Sequence, residues 1–212
     1  LIADSNKPLS IGHLAESLGV HRSIAYRILR TLEDHGLLTR DASGGVQLAP
    51  RIATLARNVS RDLQSAALPV LTNLANDLGM TAFLAVLDHG EVVTLVSIEP
   101  SHAHASIAQK PGTRHPLSNG APGIAIQSIL SQVQVQKLGQ QYRPEALEVG
   151  LRGFATSHDE VIRGLSAIAV PLKISGQPPA TIALVYVATA TPVVELGQRL
   201  VEAARQIAIE LS

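Results

Sequence analysis

Apolar residues recur at helical spacing from the start of the chain. Ile11, Leu14, Ala15 and Leu18 share one face; the pattern breaks at Gly19 and resumes with Ile24, Ile28, Leu29 and Leu32. Ser10 is placed to cap the first of these helices, Gly19 to close it in a left-handed conformation, and Gly36 to end the second. The next segment, LLTRDASGGVQLA, alternates like two short strands around a turn built from Asp41, Ser43, Gly44 and Gly45. Helix, turn, helix and hairpin make the outline of a winged helix-turn-helix.

From Pro50 the spacing is helical again, with Pro69 expected to kink or split the segment. After Gly79 the period changes to two: MTAFLAVL, VVTLVSIEP and HASIAQK predict a β-meander. The polar stretch RHPLSNGAPG precedes an apolar helix expected to run from about Pro122 to Ile129. Two more helices near QVQKLGQQY and PEALEVGLR follow, then two strands, LSAIAVPLKI and ATIALVYVA, and a long amphipathic final helix. These elements predict an α+β fold: an N-terminal winged helix-turn-helix, a linker helix, and a C-terminal domain with a mixed or antiparallel sheet and helices on one face. The expected divisions are residues 1–49, 50–62 and 63–212.

Composition agrees with packed cores. The 212 residues are 46% hydrophobic and 16% charged, and mean hydropathy is +0.22. No apolar run approaches the ~20 residues of a membrane span. The absence of cysteine excludes disulfides and thiolate metal sites and fits a cytoplasmic location. Because the chain opens on Leu1 and not Met, its true start is expected upstream, with elements near residue 1 cut short.

Formal net charge is zero, yet residues 1–60 hold seven Lys/Arg against five Asp/Glu, and residues 61–212 hold ten against twelve. Arg22, Arg27 and Arg30 fall with His21 in a stretch free of acids. In a helix-turn-helix the second helix enters the major groove, so His21, Arg22, Ser23 and Tyr26 are candidates for base edges, with Arg27 and Arg30 better placed for phosphates. Arg40, at the hairpin edge, is a candidate wing contact. A solvated basic helix in a protein-binding winged domain explains the stripe less well, because the charge coincides with the reading positions.

The order LSIGHLAESLGVHRSIAYRILRTLEDHGLL, LAPRIATLA, GTRHPLSNGAPGIAI and RGFATSHDEVIRGLSAIAVPL resembles the IclR-type bacterial transcriptional regulators. The resemblance covers nearly the whole chain. It implies a GAF-like C-terminal domain that binds a small metabolite, and a homodimer or dimer of dimers on palindromic double-stranded operator DNA, most simply as a repressor. It also carries an effector pocket onto Ala121, Pro122, Ser157, Ala167, Leu184 and Tyr186. From the residues themselves, Pro122 would start a helix whose free N–H groups at Gly123 and Ile124 point back toward Ser118, Asn119 and Gly120. Such an end favours an anion, and a carboxylate is preferred because a Walker-type ending is missing. Where relatives often carry Lys there is Ile124, and the carried-over positions are more apolar than in relatives that bind small keto acids. A larger, partly apolar or aromatic ligand is therefore expected, an aromatic acid among the candidates.

Enzyme readings are weaker. His102 and His104 with His115, His158 or Asp159 could ligate zinc, but their spacing does not establish convergence, and exposed histidines are the simpler expectation. Ser118 lacks the glycines of a nucleophile elbow. Asp159 and Glu160 read as a solvated helix start, and 2% aromatics argue against a base-stacking single-strand binder. No cofactor and no metal are expected. The rival reading is a GAF-like ligand-binding protein or enzyme whose winged helix serves only assembly.

Overall fold

A computed structural model of the chain describes residues 1–102, 109–187 and 189–212. The chain divides into two compact units, Leu1–Arg61 and Asp62–Ser212.

In the first unit, α1 (Ile11–Ser17) begins at Ser10, whose hydroxyl oxygen accepts from the His13 N–H at 3.2 Å. Gly19 turns the chain at φ +63°, and α2 (Arg22–Asp34) follows. Strands β1 (Leu38–Arg40) and β2 (Val46–Leu48) pair antiparallel. The Asp41 carboxylate ties their turn by accepting from the Ser43 and Gly45 N–H groups at 2.9 and 2.7 Å. Leu14, Leu29, Leu38 and Val46 form the core. The inward stripe of α2 is set by buried Ala25 and Leu29, whereas Ile24 and Ile28, expected inside, remain 48% and 44% exposed. Steps of about 100° per residue place those two at the edge of the stripe that packs on the hairpin and α1.

The expected linker helix over 50–62 is interrupted. Helix α3 covers Arg51–Ala56, residues 57–60 form turns with Ser60 at φ +46°, and α4 covers Arg61–Leu78. Pro69 lies within α4 without splitting it. Leu63, Ala66, Ala67, Leu71, Leu74 and Ala75 are buried on both sides of the proline, and their packing outweighs its missing N–H bond.

The second unit is built on one sheet of β3 (Thr81–Asp88), β4 (Glu91–Ile98), β5 (Arg114–Pro116), β6 (Ala155–His158), β7 (Ser166–Leu172) and β8 (Ala180–Tyr186). The spatial order is β5-β4-β3-β8-β7-β6, and every described pairing is antiparallel. The edge strand beside β4 is the start of the polar stretch; most of HASIAQK lies outside the described residues.

Helices cover both faces of the sheet, not one. On one side α4 and α8 (Val193–Glu210) pack on Ala82, Leu84, Ile168, Ile182 and Leu184. On the other side α5 (Gly120–Gln127), α6 (Gln132–Lys137) and α7 (Glu145–Arg152) pack on Phe83, Ala85, Ala169, Ala183 and Val185. Two covers explain why TAFLAVL reads as a continuous apolar run: β3 is central and buried on both faces. Odd and even residues of β3, β7 and β8 therefore belong to different cores.

Helix α5 starts two residues earlier than expected. Gly120 turns into it at φ +75°, and the helix lies so close to the preceding loop that a Cβ on Gly123 would sit 2.3 Å from the Leu117 carbonyl oxygen.

Candidate functional site

Two surfaces carry chemistry, one in each unit. On α2, Arg22, Ser23, Tyr26, Arg27 and Arg30 are all exposed and fall within an arc of about 140° at helical spacing. His21 caps the helix, its Nδ1 lying 2.8 Å from the Ser23 hydroxyl. Among the described residues, no acidic side chain pairs with Arg22, Arg27 or Arg30. Arg40 differs from the expectation of a free wing contact. Its guanidinium donates through Nε and Nη2 to both oxygens of Glu33, the second at 3.1 Å, and lies 5.4 Å over the Tyr26 ring. Its charge is paired with Glu33, and its guanidinium packs on Tyr26, which lies inside the arc between Arg22 and Arg30.

The other surface is a cleft on the α5 face of the sheet. Its floor is a register row across three strands: Ser157 pairs with Ala167, and Ala167 with Val185. Residues in such a row point to the same side of the sheet. Phe83 and Pro122 add apolar walls, Val161, Ile162 and Leu165 come from the loop after β6, and Gln109, His115 and Glu160 add polar groups. The empty volume is about 410 Å³ including the open mouth.

The start of α5 offers no open anion site. Asn119 N–H donates to the Pro116 carbonyl at 3.0 Å, Gly120 N–H to Glu160 Oε2 at 2.9 Å and Ala121 N–H to Ser157 Oγ at 2.8 Å, while Pro122 has no N–H. Gly123 and Ile124, expected to supply free donors, lie inside the helix. The carboxylate expected there is present, but it is the protein's own. Glu160, read as part of a solvated helix start, also accepts from Arg143 Nη1 at 2.9 Å; Arg143 holds Glu145 at 2.7 Å and the Ser118 carbonyl at 3.0 Å. The bonds to Arg143 hold both carboxyls below the usual carboxylate range, assisted at Glu160 by the Gly120 N–H, and the two acids raise the Arg143 pKa in return.

Of the expected effector residues, Pro122, Ser157 and Ala167 line the cleft. Gly120 and Ala121 reach it through the groups they bind. The Asn119 side chain accepts from the Ser118 hydroxyl at 3.1 Å. Leu184 and Tyr186 do not face the cleft: both belong to the core under α4 and α8, where burial raises the Tyr186 pKa. The residue of β8 that faces the cleft is Val185. A shift of one position along a strand exchanges its faces, and the row through Ser157 and Ala167 is what fixes the correct one.

Sequence reasoning missed Phe83, Gln109, Glu160 and the loop residues as cleft walls, and it missed Arg143 altogether. It weighed His115 as an exposed histidine or metal ligand, and His115 is buried. Among the described residues no three His, Asp or Glu side chains are grouped to hold a metal, and His104 lies outside them. No helix among the described residues is long and apolar enough to cross a membrane.

Residues 1–42 match the IclR helix-turn-helix domain, and residues 56–212 match the C-terminal domain of the bacterial transcriptional regulator IclR. The probable transcriptional regulator SauR of Cupriavidus necator is 26% identical over 194 residues, covering 81% of this chain and 75% of the relative. The transcriptional repressor IclR of Escherichia coli is 28% identical over 141 residues, covering 65% of this chain and 52% of that protein. An IclR-type regulator from Alicyclobacillus acidocaldarius superposes with a TM-score of 0.80 at 26% identity, covering 96% of this chain and 90% of the other. An IclR homolog from Microbacterium hydrocarbonoxydans, solved in complex with 4-hydroxybenzoate, gives 0.79 at 22% identity, covering 98% and 93%. The arginines of the second helix lie in the matched helix-turn-helix domain and the cleft in the matched C-terminal domain: the chain belongs to the IclR family of bacterial transcriptional regulators, which bind DNA and are not enzymes.

Proposed function

We propose that the chain is a repressor acting in the cytoplasm as a homodimer or dimer of dimers on a palindromic operator. In this reading residues 1–49 bind DNA, 50–62 link, and 63–212 bind a small organic acid that changes operator affinity. His21, Arg22, Ser23 and Tyr26 meet base edges from the start of α2, and Arg27 and Arg30 meet phosphates. The observation that carries this reading is the set of three guanidinium groups on one arc of α2 without acidic partners among the described residues. Arginines left without intramolecular partners are available to an anionic polymer.

The effector takes the cleft over Ser157, Ala167 and Val185. The small floor residues and the apolar walls of Phe83, Pro122 and Leu165 suit a flat ring, so the ligand is an aromatic acid; the 4-hydroxybenzoate bound by the Microbacterium homolog supports that class. With Glu160 seated on the Gly120 N–H, like charge keeps the ligand's carboxylate away from it and toward the open mouth. A ligand that binds only the folded protein raises its melting temperature, by the equivalent of about 2.7 kcal/mol at a hundred times Kd. In a thermal-shift screen of aromatic and aliphatic carboxylic acids, a subset of the aromatic acids is expected to stabilise the protein. Flat melting curves across the whole panel would remove the cleft from the account.

A further inference from the structure

Two largely buried side chains lining the cleft each carry an acceptor that no described donor meets, and neither acceptor is closed off from water. His115 is 8% exposed, and its Nδ1 lies 3.1 Å from the Pro116 carbonyl oxygen. A carbonyl can only accept, so Nδ1 carries the proton, and Nε2 of the neutral ring is then a bare acceptor. Burial pushes the imidazole below its ordinary pKa, against the opposing pull of the Pro116 carbonyl and of Glu91, so the neutral form prevails near neutral pH. Among the described residues no donor meets Nε2. The ring stands at the start of α5, with Cε1 3.9 Å from the place a Cβ on Gly120 would occupy.

Gln109 is likewise 8% exposed. Its amide nitrogen donates to Thr94 Oγ1 at 3.0 Å, and its amide oxygen has no partner among the described residues. The carboxylate of Glu160, on the same cleft wall, is a third acceptor. His115, Gln109 and Glu160 thus present acceptors on the cleft wall, while the hydroxyl donors of the lining, Ser157 and Ser166, stand on β6 and β7. A second carboxylate placed there would meet lone pairs and a like charge, whereas a hydroxyl supplies the missing hydrogen. A ligand that displaces water from these acceptors without supplying a hydrogen loses those bonds.

We propose that His115 and Gln109 form a hydroxyl-reading end of the cleft, and that the effector carries a phenolic or alcoholic O–H that donates to His115 Nε2. The proposal rests on the reading of this cleft as the effector site. It makes His115 a specificity residue: the apolar walls accept many rings, and the buried imidazole selects among them by the presence of a donor.

Isothermal titration of the full chain with 3- and 4-hydroxybenzoate, the corresponding fluorobenzoates and benzoate tests it, because fluorine nearly matches the hydroxyl in size and donates nothing. At least one hydroxy isomer should bind the wild type about tenfold or more tighter than its fluoro counterpart. His115→Leu should bring that ratio to about one while fluorobenzoate still binds, and Gln109→Leu should lower it in part. Equal binding of hydroxy and fluoro ligands to the wild type would overturn the proposal and leave the effector site standing. A ratio that survives in a folded His115→Leu protein would also overturn it. Failure of every probe, benzoate included, would bring down the effector reading together with this one.

Discussion

Replacing Arg22 with Ala is expected to reduce the ratio of operator to scrambled-sequence affinity by about ten- to a hundredfold, since a bidentate arginine-base contact discriminates by about 1–3 kcal/mol. Arg22 is the first residue of α2, where a recognition helix presents side chains to base edges, and it is exposed with no acidic partner among the described residues. Arg27→Ala and Arg30→Ala should instead weaken operator and scrambled DNA alike, and each should shallow the dependence of affinity on salt by about one unit of slope. Fluorescence anisotropy on both sequences at several salt concentrations separates the two outcomes. A wild-type ratio in Arg22→Ala would move base reading to other residues of the arc. Arg40→Ala serves as a comparison, because its guanidinium is already committed to Glu33 and Tyr26. Its effect should come through the placement of Tyr26.

Ala167→Leu is expected to abolish the stabilisation that aromatic acids give, while DNA binding by the free protein stays near wild type. Ala167 stands at the centre of the floor, flanked by Ser157 and Val185 in the register row. A leucine side chain there occupies the ligand's place. Tyr186→Phe, one residue beyond Val185 but on the opposite face, should leave the response to acids intact, since its side chain belongs to the core under α4 and α8. The pair reads out the face of the sheet directly. Loss of ligand stabilisation in Tyr186→Phe together with a normal response in Ala167→Leu would put the ligand in the other core. Melting curves of both variants with and without acid make the comparison.

The parts of the molecule legible in the sequence are those set by neighbours along the chain. Ser10, Gly19 and the Asp41 turn act over a few residues, and each is found in its expected place. The stretch RHPLSNGAPG is similarly informative: His115 and Pro122 line the cleft, and Gly120 and Ala121 bind two more of its side chains. What the sequence did not show depends on partners far along the chain. Glu160 and Arg143 are seventeen positions apart, and Glu160 meets Gly120 across forty, so no local pattern announces that the helix start is already satisfied by an internal carboxylate.

The expectation that Leu184 and Tyr186 face the cleft has another origin. In a strand buried on both faces the apolar residues do not alternate with polar ones, so the side of the sheet that each serves is invisible until the strand is paired. Pairing Ala167 with Val185 settles it. The helices were foreseen but not their division between two faces, for the same reason: packing alone tells a two-sided sheet from a one-sided one.

If a ligand in the cleft changes operator affinity, the coupling must be reciprocal. Its most direct test measures operator affinity with and without a saturating aromatic acid, and the affinity for that acid with and without operator DNA, in one buffer. The same factor is expected in both directions, of about 5- to 150-fold if coupling lies in the usual range. An acid and an operator that each bind tightly, yet leave one another's affinity unchanged, would contradict it.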